Sequence, residues 1–427
     1  MNKPFSKVKS VKGELTFAGD KSISHRAIFF SSMANGKSVI KNISLSEDVK
    51  STQKVFKELG VEFYYDKSDL IVTGLGKKNF LPPKNFLDCG NSGTTARLAS
   101  GLLIAQNFSS TLIGDESLSK RPMQRVIEPL KLMGAKIESS NSTLPIIINP
   151  TDTLKPIEYD LPVASAQVKS SILIAGLHLS DQSKVIEKFI TRDHTERMLE
   201  LPVDTVGNRK IISTSEKFYP VAKEYFIPGD VSSSAFFIVL ALLTNNSELI
   251  IKNVSLNPTR TGFIDILRKM DGNIQIENVK YSSNEPYGDI IVKSSALKNI
   301  SIDESIIPNI IDEIPILSVA GIFAEGIFEM RNCKELRYKE SDRIKSICDN
   351  LKKAGLNVEE FEDGFCIEGE IKNNAVTFNS FNDHRIAMAF SILAMLIGNK
   401  SSVDGIECVS ISNPDFYPQV KRVVNFN

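Results

Sequence analysis

The sequence predicts a two-domain α/β (α+β) fold made of six βαβαββ units, three to a domain, with parallel buried helices. Three observations lead there. Six segments are apolar nearly all round and rich in small residues, the composition of helices buried on every side. They begin at Ser24, Thr94, Ser165, Ser232, Asp312 and Asp383, so successive starts lie 70, 71, 67, 80 and 71 residues apart. Recurrence at so regular a period marks a repeated unit. Between these segments run amphipathic ones, most ending at glycine, which closes helices in the left-handed conformation. Most of those glycines precede a short alternating run such as VEFYYDKSDLIV, the period of paired strands.

In chain order, SHRAIFFSSMANG is the first buried helix and DVKSTQKVFKELG its amphipathic partner. TTARLASGLLIAQN pairs with RPMQRVIEPLKLMG, where Pro122 suits a first helical position. SAQVKSSILIAGLHL pairs with HTERMLELPVDTVG, and SSSAFFIVLALLTN with PTRTGFIDILRKMDG. DEIPILSVAGIFAEG pairs with ESDRIKSICDNLKKAG, a helix that Glu340 opens. DHRIAMAFSILAMLIGN is the sixth buried helix, and its counterpart near DFYPQVKRVV is cut short by the chain end. Six units of about 70 residues exceed what one core holds, so three fall to each domain. Gly229-Asp230-Val231-Ser232 echoes Gly19-Asp20-Lys21-Ser22, and both are read as crossings of the chain between domains. One domain is then residues 1–19 with 229–427, and the other is 20–228.

Composition narrows the function. Lys plus Arg is 51 and Asp plus Glu is 51, so no overall field favours nucleic acid or an anionic membrane, and any basic site is local. Five scattered cysteines without a C-x-x-C pair fit reduced thiols in the cytoplasm. The first fifteen residues have no apolar signal region, and no stretch approaches a membrane span. No coiled-coil pattern appears, which fits a monomer.

Charged and hydroxylated residues cluster where the buried helices begin: GDKSISHR, CGNSGTTAR, LPVASAQVK, GDVSSS, IPNIIDEIP and FNDHR. Helix N-termini present free N–H groups and partial positive charge, so each is an anion site before side chains contribute. If the three helices of a domain point one way, their positive ends converge on one cleft. Lys21, Arg26, Arg97, Lys169 and Arg385 lie at those ends, and Arg121, Arg125, Arg192, Lys339 and Arg343 lie on the amphipathic set or its approaches. Lys339 and Arg343, like Arg121 and Arg125, stand four apart at a helix start, an unfavourable repulsion unless an anion completes the cluster. This pattern points to a multi-anion site for phosphate and carboxylate. Asp312 and Glu340 stand among the cations and are the candidates for proton transfer, with Asp312 equally readable as a helix cap.

Other motifs carry less. Gly36-Lys37-Ser38 follows a helix instead of opening one, and Gly74-Leu75-Gly76 lacks a third glycine, so neither is a nucleotide loop. His25, His178, His194 and His384 have no metal-site spacing, and no metal or cofactor is called for. Without a G-x-S-x-G turn, Ser22, Ser165 and Ser232 read as hydrogen-bond donors to phosphate.

GDKSISHRA, LDCGNSGTTARL, GDESLSKRPMQRVIEPL, LPVASAQVKSSILIAGL, TRDHTERML, GDVSSSAFF, ELRYKESDRI and NDHRIAMAF, in this order over nearly the whole chain, resemble the 5-enolpyruvylshikimate-3-phosphate synthases among the enolpyruvyl transferases. The resemblance implies that each domain is an inside-out α/β barrel and that the two close over shikimate 3-phosphate and phosphoenolpyruvate, with no cofactor. It implies that Lys21, Ser22, Arg26, Ser165, Gln167, Arg192, Asp312 and Lys339 hold shikimate 3-phosphate, with Ala166 donating from its backbone. Phosphoenolpyruvate would meet Lys21, Asn91, Gly93, Arg121, Gln167, Arg343 and Arg385. Asp312 would accept the hydroxyl proton, Glu340 would exchange one with the methylene carbon, and Lys21 would serve both substrates. Some members carry a lysine before the C-terminal proline motif, where this chain has Ile411 or Ser412. The related UDP-N-acetylglucosamine enolpyruvyl transferases place a cysteine in the loop corresponding to GDESLSKRP, and none is here. A non-catalytic anion-binding protein on this scaffold would tolerate loss of Asp312 and Glu340, which the chain retains.

Overall fold

The computed structural model describes residues 3–372 and 375–427. The chain divides into two compact units, residues 1–17, 229–280 and 286–427 forming the first and 18–228 with 281–285 the second. Residues 18 and 19 thus group with the second unit, as does the tip of the hairpin Asn273–Ser282/Glu285–Lys293. At that tip Glu285 shares a buried 2.8 Å hydrogen bond with His194 Nδ1. Each unit has its own hydrophobic core.

The six apolar segments are helices: Lys21–Met33, Gly93–Leu103 and Ala166–Gly176 in the second unit, and Val231–Leu243, Ile314–Phe323 and His384–Ile397 in the first. Five are capped by a side chain that accepts from a backbone N–H of the first turn: Asp20, Ser92, Ser165, Asp230 and Asp383. The caps set the starts, which therefore fall up to three residues from those expected. Asp312 is not a cap; Glu313 occupies that position, without a side-chain cap bond. The helices Gly93–Leu103 and Ala166–Gly176 pack so closely that a Cβ on Gly101 would lie 2.2 Å from the Ser171 carbonyl oxygen.

Among the described residues the strands form six sheets. The sheet of Leu87–Asp88, Ser110–Ile113, Ile146–Asn149 and Lys136–Ser139 gives the pattern: a parallel pair flanking a buried helix, then an antiparallel hairpin. The first sheet of the second unit draws its parallel edge from far downstream, Glu224–Phe226 beside Asn35–Lys41. Val8–Leu15 instead lies parallel to Glu248–Ser255 in the first unit, flanked by Val424–Phe426 on its other side. The sixth sheet pairs Thr377–Asn379 with Ser402–Asp404 and is completed by Lys3–Pro4.

Three of the amphipathic segments depart from expectation. ESDRIKSICDNLKKAG becomes helical only at Arg343–Lys353, because the Asp342 side chain accepts from Lys345 N; Glu340 lies in the preceding bend. Lys339 and Arg343 are therefore not neighbours on one helix face. RPMQRVIEPLKLMG starts at Gln124, leaving Pro122 and Arg121 before the helix. His194–Leu199 is a single short helix that ends at Glu200 in the left-handed conformation, φ 55°. Gly207 turns the hairpin after it instead of ending a helix. Gly36-Lys37-Ser38 lies in a strand.

Candidate active site

The second unit brings the N-terminal turns of its three buried helices together through side chains. Arg26 is 3% exposed, and its Nη2 donates to Ser170 Oγ at 2.7 Å, joining the first helix to the third. Arg26 also donates from Nε to Thr195 Oγ1 at 2.7 Å and from Nη1 to the Ser22 carbonyl at 3.0 Å. Gln167 joins the third helix to the second, donating to Thr94 Oγ1 at 3.0 Å and accepting from Arg97 Nη1 at 2.7 Å. The first and second are joined by His25 Nδ1, Thr52 and Thr95, each contact 2.7 Å. Burial drives His25 down to about 3, so its ring is neutral. Burial, with Arg192 assisting, lowers Arg26 to about 10, and it remains a cation at neutral pH.

The residues singled out in this unit fall into neighbouring sets. Arg192 Nη1 reaches Ser22 Oγ at 3.5 Å, beside Arg26. Arg121 Nη2 donates to Asn91 Oδ1 at 2.8 Å, and Asn91 Nδ2 donates to Asp115 at 2.7 Å. A Cβ on Gly93 would meet Arg97 Nη1 at 2.6 Å, so the missing side chain gives Arg97 its place beside Gln167. Ser165 caps the helix that Ala166 opens, accepting from Val168 N. Lys21 extends to Asp48 Oδ2 at 2.9 Å, on the helix Glu47–Glu58.

One group was not read from the sequence. The sequence puts Lys169 among the anion-site cations, yet it is fully buried and its ammonium is held by protein carboxylates, Glu196 Oε1 at 2.6 Å and Glu187 at 3.0 and 3.2 Å. Burial would lower Lys169, but the two acids outweigh it and raise it. For Glu196 burial wins over Lys169 and raises it as well; one cation cannot compensate two buried acids. The pair fixes both ends of the loop that carries Arg192.

In the first unit the N-terminal ends of the other three buried helices also gather. Ser232 Oγ donates to the buried Glu313 carboxylate, and Arg385 Nη1 donates to the Asp312 carbonyl at 2.9 Å. The Asp312 carboxylate stands among four cations. Arg343 Nη1 at 3.3 Å and Lys339 Nζ at 3.7 Å face Oδ1, while Arg385 Nη2 at 3.8 Å and Arg260 Nη1 at 4.0 Å face Oδ2. Arg343 is 1% exposed and donates to Asp383 at 2.8 and 3.3 Å and to Glu340 Oε2 at 2.6 Å. Burial would lower its pKa, but Asp383, Glu340 and Asp312 together raise it well above the ordinary arginine value. Burial would likewise raise Asp383, but Arg343 brings it below the usual carboxylate range.

These contacts correct the charge argument made from sequence. Arg343 does not depend on an outside anion for compensation: a buried guanidinium must be paired by the fold itself, and three carboxylates do so. Arg260 was missed because NPTRTG reads as an ordinary helix start. Asp312, Lys339, Glu340, Arg343 and Arg385 are brought together here, as are Arg26, Ser22 and Arg192 in the other unit. Among the described residues no group of three or more His, Cys, Asp or Glu side chains could hold a metal ion, and no single helix is long and apolar enough to cross a membrane.

Comparison with known proteins adds independent findings. The family model of EPSP synthase (3-phosphoshikimate 1-carboxyvinyltransferase) matches residues 5–420. A 3-phosphoshikimate 1-carboxyvinyltransferase of Petrotoga mobilis is 46% identical over 420 residues, covering 96% of each chain. That of Aquifex aeolicus is 43% identical over 439 residues, covering 99% of this chain and all of the relative. A solved EPSP synthase from Acinetobacter baumannii superposes with a TM-score of 0.87 at 40% identity, over 99% of this chain and 98% of the other. The enolpyruvyl transferase NikO from Streptomyces tendae, 12% identical with a TM-score of 0.77 over 99% and 97%, shares the fold.

Proposed function

The chain belongs to the EPSP synthase family, and from that premise we propose a residue-level account of its reaction. The enzyme transfers the enolpyruvyl group of phosphoenolpyruvate to the 5-hydroxyl of shikimate 3-phosphate and releases phosphate. Its fold is the two-domain α/β fold of the enolpyruvyl transferases. The observation that carries the account is the assembly of Asp312, Lys339, Glu340, Arg343 and Arg385 at adjoining helix starts.

Lys21, Ser22, Arg26, Ser165, Ala166, Gln167, Arg192, Asp312 and Lys339 hold shikimate 3-phosphate. Lys21, Asn91, Gly93, Arg121, Gln167, Arg343 and Arg385 hold phosphoenolpyruvate. Asp312 takes the proton of the 5-hydroxyl as its oxygen bonds to C2 of phosphoenolpyruvate, and Glu340 gives a proton to C3, converting the methylene to a methyl group. The resulting tetrahedral ketal collapses with cleavage of the C2–O bond to phosphate, which departs with the proton that Asp312 took from the hydroxyl, and Glu340 takes a proton back from the methyl group. Support for the second role lies in the bond between Glu340 and Arg343. A substrate anion that takes over Arg343 releases Glu340 from its cation, the condition under which a carboxyl keeps a proton to donate.

The reading makes the enzyme a cytoplasmic monomer acting on small anions, without metal or nucleotide; the five unpaired cysteines support a reducing compartment. The test is release of inorganic phosphate by purified protein given both substrates and no metal. Phosphate release that instead requires UDP-N-acetylglucosamine overturns it.

A further inference from the structure

We propose that Arg260 is a positioning residue for the reaction: it holds the Asp312 carboxylate from behind and remains its resident cation when substrates occupy the other three. The inference rests on the function proposed above. Arg260 lies just before the helix Gly262–Lys269 and is 3% exposed. Its Nη2 donates to Ser232 Oγ at 2.7 Å and lies 3.6 Å from Asp230 Oδ1, while Nη1 stands 4.0 Å from Asp312 Oδ2. Ser232 in turn donates to Glu313, adjacent to Asp312 in sequence. The guanidinium is thus tied to the capped start of one buried helix and faces the carboxylate at the start of the next.

The other cations around Asp312 are differently committed. Lys339, with 30% of its side chain exposed, is the proposed shikimate 3-phosphate contact, and Arg343 and Arg385 are the proposed phosphoenolpyruvate contacts. The two arginines have further acids as well, Arg343 in Asp383 and Glu340 and Arg385 in Glu313. Substrate anions compete with Asp312 for all three. Arg260 has no assigned substrate anion and is held in place by Ser232 and Asp230, so its charge acts on Asp312 throughout the cycle. A cation at that distance favours the ionised carboxylate, the form able to accept the hydroxyl proton.

The experiment is the pH profile of kcat, with both KM values, for wild type, Arg260→Gln and Arg260→Lys, alongside melting curves. For Arg260→Gln the expected result is a fall in kcat of about tenfold or more at neutral pH. Its acidic limb should move up by about one unit, the lower end for loss of one opposite charge, with both KM values within about threefold of wild type. Arg260→Lys should restore the limb to its original place and part of kcat. An unshifted limb with unchanged kcat in Arg260→Gln overturns the proposal, as does a loss confined to KM. If Arg260→Gln does not melt cooperatively, Arg260→Lys decides: lower kcat with the limb unmoved is the result expected, and unchanged kcat overturns it. A wild-type protein that releases no phosphate from the two substrates refutes the proposed function itself, a result distinct from any of these.

Discussion

Replacing Lys169 with methionine keeps nearly the same volume and removes the cation that two buried carboxylates share. The ammonium is fully buried, Glu187 and Glu196 are 2% and 5% exposed, and the contacts run from 2.6 to 3.2 Å. Removing one partner of a buried ion pair costs about 3–5 kcal/mol, because the remaining charge is left without compensation. Two acids lose their cation here, so the upper part of that range applies. For a unit of this size, about 2–4 °C of melting temperature per kcal/mol over about 4–5 kcal/mol gives a fall of roughly 8–20 °C. The deficit is also pH-dependent. Burial already raises Glu196 above the ordinary 4.5 in the wild type. An acid raised in the folded state contributes stability below its unfolded value and loses it as pH rises through the folded one. Without Lys169 the burial of Glu196 loses its main opposing charge, so the gap to wild type should narrow on acidification toward the ordinary carboxylate range. Calorimetry of the transition in which the second unit unfolds reads both effects. Adding Glu187→Gln and Glu196→Gln should recover most of the loss. A melting point within about 2 °C of wild type, or a gap that does not shrink with acidification, refutes the reasoning.

Glu340→Gln removes the proposed carbon acid and should lower kcat about 10²–10⁴-fold with little change in either KM; steady-state phosphate release checks it, and an unaltered kcat removes Glu340 from the mechanism. Gly101→Ala forces a Cβ against the Ser171 carbonyl and should cost about 1–3 kcal/mol in denaturant titration as two buried helices separate; wild-type stability would mean they part without strain. Asp383→Asn weakens the partner of Arg343. Arg343 outweighs burial and lowers Asp383 below 3.8, so its contribution is present above that pH and lost as pH falls through the folded value. The variant should therefore melt lower at neutral pH, with the gap closing below about pH 4, and a gap constant with pH contradicts the pairing.

The buried helices were legible because a segment apolar all round has one place to go. Their starts were less so, since a cap such as Asp342 or Asp230 decides the first turn through one side-chain bond that periodicity does not contain. HTERMLELPVDTVG reads as amphipathic over fourteen residues, yet Glu200 turns left-handed before Pro202 and the rest pairs as strands. The cations were easy to find and harder to interpret. Arg343 and Lys169 looked like residues awaiting an anion, whereas the fold supplies Asp383, Glu340, Glu187 and Glu196 from segments up to 40 residues away. Arg260 carried no signal because its partner Asp312 lies 52 positions further along.

The exchange of edge strands sets an order of assembly during synthesis. The strand beside Asn35–Lys41 is Glu224–Phe226, so a nascent chain about 200 residues long still exposes an open edge on its first sheet. Val8–Leu15 is made long before its parallel neighbour Glu248–Ser255, and longer still before its other neighbour, Val424–Phe426. The strand must therefore stay unpaired until Glu248–Ser255 is made and keep one open edge until Val424–Phe426 follows, which makes closure of the central sheet of the first unit a late event.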